Sequence, residues 1–257
     1  MNPTILEAAT EITPTRNFNL TYIVLDSIFL CILLGLLIYK KKYVTLAWSL
    51  FGGVLYFAVD FGLFYLAHGS RHVLINDVEQ GIIGVMWVLL WMSLSYGITN
   101  FAFIWLCLDR DKNLKEWLIL IIGWWLVAPS LQHIYMSPIT VTTYRTTNQY
   151  HFIMAVMLVV GYMFLIIRNL VTKKEKINLL RLNLIGISVQ FCRELALLIN
   201  GIRPMNSASI MTLLVNSIIE TNLGMPYMYY IYKFVTHRYN EDFSLKEGQK
   251  ELIKEEA

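Results

Sequence analysis

The chain has 257 residues, 56% of them apolar and 15% charged, with a net charge of +3. Soluble domains run at about 45–50% apolar and about 25% charged residues, so an ordinary soluble domain is excluded and a single membrane-embedded bundle fits. The basic residues gather at the ends of apolar stretches, which makes the bilayer the expected partner and gives no reason to expect nucleic acid.

Residues 1–19 are polar and lack the charged start and apolar core of a cleavable signal peptide, so they read as an extracytoplasmic N-terminal segment. The sequon Asn19-Leu20-Thr21 abuts the first apolar stretch and is read as chance. Seven apolar stretches follow, at about 20–39, 43–67, 80–108, 115–136, 151–171, 178–202 and 207–233. Each is near the roughly 20 residues that a membrane-crossing helix needs. The third is long for one crossing, so a tilt or an extension beyond the bilayer is expected. The fold class expected is an all-α integral membrane protein, with a seven-transmembrane-helix bundle over 20–233 and a charged tail over 234–257 that is solvated or lies on the membrane surface.

Orientation follows from lysine and arginine. Sixteen lie in the tail or in loops after the first, third and fifth stretches, and four, Arg16, Arg71, Arg145 and Arg203, lie on the other side. The positive-inside rule then places the N-terminus outside and the C-terminus in the cytoplasm, in a plasma or bacterial inner membrane. The longest outer loop, 137–150, alternates Thr with apolar residues and is compatible with a short hairpin over the bundle mouth or with a flexible loop.

Polar residues inside apolar stretches carry the functional argument. An uncompensated charge at the centre of a membrane helix costs about 2.5–3.5 kcal/mol, so such residues face partners or water. Within 183–201, Asn183, Gly186, Gln190, Arg193, Leu197 and Asn200 recur at three-four spacing and form one helical stripe, with Glu194 adjacent. The second stretch aligns Ser49, Gly53, Tyr56 and Asp60; the third offers Ser93, Tyr96, Gly97 and Asn100; the seventh carries Ser209, Thr212, Asn216, Glu220, Gly224 and Tyr227. Uncharged members of such stripes ordinarily glue helices together.

Asp26, Asp60, Glu194 and Glu220 stand against one in-span base, Arg193, so a net acidic interior is expected, with Arg193 paired to Asp60 or Glu194. Asp60, Gln190, Arg193, Glu194, Asn216 and Glu220 are the first candidates for solute or proton binding. Asp26, Tyr56, Ser93, Tyr96, Asn100 and Tyr227 are the second. Asp26 is near enough to the outer edge to be simply wetted. Gly224 and Pro226 interrupt the seventh stretch below Glu220, a pattern that transporters use at binding sites.

Metal binding has little support. His68 and His72 have the i, i+4 spacing that lets two imidazoles share an ion on a helix, and His133 and His151 fall on the same side. The histidines stand at span ends, where the ordinary reading is interfacial. The three cysteines, Cys31, Cys107 and Cys192, sit in separate apolar stretches without ligand spacing and read as small core residues.

No G-x-S-x-G, H-E-x-x-H or phosphate-binding glycine loop occurs, so no cofactor is expected and catalysis is not the first reading. The seventh stretch has no lysine before Lys233, which argues against a retinal Schiff base. The leading expectation is a transporter of a small cationic or polar solute or ion, with proton coupling as an option and a cavity opening outward. A membrane-embedded enzyme acting on a lipid or isoprenoid, using Asp60, Glu194 and the histidines as acid–base groups, is the alternative. A seven-helix receptor working through a separate partner protein is the third class.

Overall fold

The computed structural model describes residues 16–145, 150–172 and 176–237. Six helices are long and apolar enough to cross a membrane by length and composition: α1 (Leu20–Tyr39), α2 (Tyr43–Phe57, continuing without interruption to Ala67), α3 (Ile82–Asp109), α4 (Leu114–Leu131), α5 (His151–Val171) and α6 (Leu179–Ile199). They match the first six expected stretches to within a few residues, α4 ending five residues early. The chain is a helical membrane protein. The expected tail lies outside the described residues beyond residue 237, and of the N-terminal segment only the last four residues are described.

The seventh stretch does not form one continuous α-helix. Its first part, α7, spans Ser207–Val215, passes into a π-helical turn over Asn216–Glu220 and a 3-10 turn over Asn222–Gly224, and resumes as α8 over 225–237. Pro226 follows the 3-10 turn. Lacking an N–H, a proline suits the first turn of a helix and not its interior, which agrees with a restart at that point. The second span changes winding as well, from α-helix to π-helix over Ala58–Ala67. Such segments interrupt the regular i→i−4 ladder and recur at functional sites. Asp60 and Glu220 both lie on them.

The chain is mainly helical, as expected, and carries in addition a small four-stranded antiparallel sheet. Its order is β1 (Arg16–Asn19), β4 (Thr140–Arg145), β2 (Arg71–Ile75), β3 (Val78–Glu79). The described part of the Thr-rich loop thus supplies one strand, paired on either side with chain far away in sequence. β2 and β3 are joined by Asn76-Asp77, both at positive φ (49° and 62°), the two-residue turn whose twist suits adjacent strands. Phe18, Val73 and Val141 of the sheet are buried with Val85, Val88 and Leu89 of α3, so one sheet face closes one end of the bundle. Asn19 caps α1, its Oδ1 accepting from the Tyr22 N–H, while its Nδ2 donates to the Gln132 carbonyl.

The closest helix pair is α2 with α3. A Cβ added to Gly97 would lie 2.5 Å from Gly53 Cα and would also collide with the Gly52 carbonyl. Two glycines facing a third let the backbones approach as side chains would not, the usual device of membrane helix contacts. Large apolar side chains such as Ile28, Val54, Phe152, Ile153 and Phe164 remain exposed on α1, α2 and α5, where lipid would cover them. Cys31 is exposed on that surface, against the expectation of a core residue; Cys107 is buried and Cys192 partly so.

Candidate functional site

Beneath the sheet, the bundle encloses a polar cavity of about 80 Å³. Its lining comes from the expected segments and from four more. The second span contributes Tyr56 and Asp60, α3 contributes Met92, Ser93 and Tyr96, α6 contributes Gln190, and the broken seventh segment contributes Thr212, Asn216, Glu220 and Thr221. Arg16 enters from β1, Arg145 from β4, Arg203 from the loop after α6, and His151 from the start of α5. A water needs about 10–15 Å³ of such space, so the cavity holds several waters or one small polar group.

Charge is organised as two triads, each a carboxylate between two arginines. Asp60 Oδ1 accepts from Arg71 Nε at 2.6 Å and from Arg145 Nη2 at 3.0 Å. Glu194 Oε1 accepts from Arg16 Nη2 at 2.9 Å, and its Oε2 accepts from Arg203 Nε at 2.5 Å. Gln190 Nε2 donates to the same Glu194 Oε1 at 3.2 Å, and Gln190 Oε1 accepts from the Thr221 hydroxyl. All four cations are arginine, whose planar fork suits buried carboxylate pairing better than lysine's single ammonium.

Arg71 and Arg145 are directly opposed on adjacent strands, a like-charge pairing that is unfavourable unless something neutralises it. Asp60 is that group. Burial lowers the guanidinium of Arg16, and that of Arg71, to about 10, which leaves both charged at neutral pH. Burial acts the same way on Arg145, but the Asp60 carboxylate carries it above the ordinary arginine value.

These contacts overturn the expected acidic interior. Arg16, Arg71, Arg145, Arg193 and Arg203 stand against Asp26, Asp60, Glu194 and Glu220, and all the arginines but Arg145 are nearly fully buried. Positive charge is in excess. Arg193 also departs from expectation, since neither Asp60 nor Glu194 is its partner. It donates to the Ser95 carbonyl (3.1 Å), the Ser95 hydroxyl (2.6 Å) and the Thr99 hydroxyl (2.7 Å) of α3, and its guanidinium lies 3.3 Å from the Tyr96 ring centroid. Arg16 lies over the same ring at 4.7 Å. The stripe on α6 therefore splits: Gln190 reaches the cavity, Glu194 braces its arginines from behind, and Arg193 locks α6 to α3.

Other candidates fall in distinct places. Asp60, Gln190, Asn216, Glu220, Tyr56, Ser93 and Tyr96 converge on the cavity. Asn100 is fully buried outside its lining, beside Tyr56. Asp26 is buried, not wetted, beside Ser95 and Trp91 and within electrostatic reach of Arg193. Tyr227 faces outward, 43% exposed, and donates to the Met157 carbonyl.

The histidines do not assemble. The residues after His68 leave the helix through Gly69 at φ +59° into β2, so the i, i+4 geometry needed by His68 and His72 is lost. His72 Nδ1 lies 3.1 Å from Glu79 Oε1, His133 Nε2 lies 2.8 Å from the Asn200 carbonyl, and His68 packs on the edge of Tyr150. No cluster of three or more His, Cys, Asp or Glu able to hold a metal occurs among the described residues.

The residues missed at the sequence level are Arg16, Arg145, Arg203 and Arg71, which had counted only as loop charges. One signal marked them: the sparse basic residues on that side are all arginine, with no lysine among them. No family model, curated protein or solved structure matches the chain.

Proposed function

We propose that this chain is a membrane transporter in which the cavity beneath the sheet holds a small polar solute. In this reading the broken seventh segment completes the bundle as a seventh crossing. The N-terminus and sheet face outward and the C-terminus lies in the cytoplasm of a plasma or bacterial inner membrane, as the lysine and arginine distribution favours. The observation that carries the reading is the interruption over Asn216–Gly224, which lines the cavity with Asn216, Glu220 and Thr221. Discontinuous helices at a buried polar site are the recurrent construction of secondary transporters, because the freed backbone groups and a mobile half-helix serve solute contact and gating together.

Asp60 and Glu194 are each held between two arginines and serve as latches. Glu220, on the break itself, is the carboxylate placed to exchange a proton as the half-helices move. The test uses proteoliposomes containing the full chain and a lumenal pH dye, challenged with gradients of formate, acetate, phosphate, chloride, glycine and choline. A solute-dependent flux absent from empty vesicles, and reduced in Glu220→Gln, supports transport. Traces indistinguishable from empty vesicles for every solute overturn it.

A further inference from the structure

We infer that the cavity binds a small oxyanion, a group presenting two or more oxygens on one face such as a carboxylate or phosphate, between the guanidiniums of Arg16 and Arg203. This names the ligand class of the solute site proposed above and rests on that cavity being a ligand site. Both arginines line it, and both are 3% exposed. Each spends one nitrogen on Glu194, Arg16 through Nη2 and Arg203 through Nε. That leaves Nε and Nη1 of Arg16 and Nη1 of Arg203 buried without a hydrogen-bond partner among the described residues.

Ser93 adds a fourth such group. Its hydroxyl is buried, lines the same cavity and has no partner. Arg193, by contrast, spends both Nη1 and Nη2 on Ser95 and Thr99. A buried donor left unpaired costs about 1–3 kcal/mol, and more when charged, so three arginine nitrogens and a hydroxyl on residues that line one small space point to a preformed site for hydrogen-bond acceptors. A cation is disfavoured there by the excess of arginine over carboxylate, whereas an oxyanion offers several lone pairs to planar guanidinium donors. The volume admits a group of formate or acetate size and no drug-sized ligand.

The experiment is equilibrium binding to the detergent-purified full chain, by calorimetry and thermal unfolding, with potassium formate, acetate, phosphate and chloride against potassium gluconate at equal ionic strength. Saturable binding of formate or acetate, of phosphate, or of both is expected, the two arms separating a planar carboxylate from a tetrahedral oxyanion. Arg16→Lys keeps the charge beside Glu194 and removes the fork, and should weaken binding by about tenfold or more. Ser93→Ala removes a hydroxyl that bonds no described residue, so it should not lower the thermal midpoint without ligand and should weaken binding by about fivefold. Absence of saturable binding by any oxyanion overturns the inference, as does an equal response to chloride or an unchanged affinity in both variants. Binding in detergent requires no flux: a protein that binds formate and transports nothing retains this inference and loses the transport reading, and a protein with flux but no oxyanion binding does the reverse.

Discussion

Arg16, on the first strand, donates from Nη2 to Oε1 of Glu194 at 2.9 Å across 178 residues of chain, and both side chains are buried. The contact ties the sheet to the sixth helix and, through Arg203, to the loop that leads into the broken segment. The carboxylate has no direct contact with the cavity, yet it positions two residues that do.

Glu194→Gln should therefore destabilise strongly. It leaves two buried guanidiniums close together without their counter-ion, and breaking a buried pair by removing one partner costs about 3–5 kcal/mol. A lowered thermal midpoint in detergent is expected. The double variant Glu194→Gln/Arg203→Gln should recover part of the loss, and a simple sum of the single effects would show that the two residues are not coupled.

Asp60→Asn acts on the other triad. With Asp60 neutral, Arg71 and Arg145 face one another across adjacent strands. Hydrogen exchange in Arg71–Ile75 and Thr140–Arg145 should accelerate by about tenfold or more, which corresponds to about 1.4 kcal/mol of local stability. Unchanged protection in both strands would mean that Asp60 does not hold the sheet.

Tyr96 is stacked by Arg193 at 3.3 Å within a buried setting, where such contacts reach about 2 kcal/mol. Tyr96→Phe should keep most of that stability and Tyr96→Leu should lose it. Equal thermal midpoints for the two variants would exclude a stabilising ring–guanidinium contact.

Gly97→Val should force α2 and α3 apart, since even a methyl at this position meets Gly52 and Gly53 backbone atoms. Overpacking costs about 1–3 kcal/mol where neighbours can shift, and facing backbone places this site at the upper end. Gly35→Ala on α1, which meets nothing within 4 Å, should change the midpoint by less than about 1 kcal/mol.

At the opposite end of the bundle from the sheet, Lys42 pairs with buried Asp111 in the turn between α3 and α4. Burial alone would raise the Asp111 carboxyl, but Lys42 and the Asn113 N–H outweigh it and hold it below the usual carboxylate range. A depressed folded-state value contributes stability that is complete above the unfolded value of about 3.9 and lost as pH falls through the folded one. Between pH 6 and 3, wild-type stability should fall more steeply than that of Asp111→Asn. Parallel profiles would remove Asp111 from the acid response.

The sequence by itself determined the medium, six helices long and apolar enough to cross it, and the weak point of the last apolar stretch, because those depend on local properties: apolar length, and a glycine and a proline close together after an acid. It also marked Asp60, Gln190, Asn216, Glu220, Tyr56, Ser93 and Tyr96, since a helix repeats its faces at fixed spacing. It misjudged the sign of the interior. A residue counted in a loop carries no information about where its side chain ends: Arg16, Arg71 and Arg145 reach inward because a sheet assembled from three separate stretches of chain turns them there, and Arg203 reaches inward from the loop after α6. Strand pairing across 66 to 127 residues, as β4 makes with β2 and β1, is a property of the folded chain alone. The tertiary structure therefore decided which carboxylate meets which arginine, took Arg193 from the acids to Tyr96, Ser95 and Thr99, and made an interior that reads as acidic along the helices net basic in space.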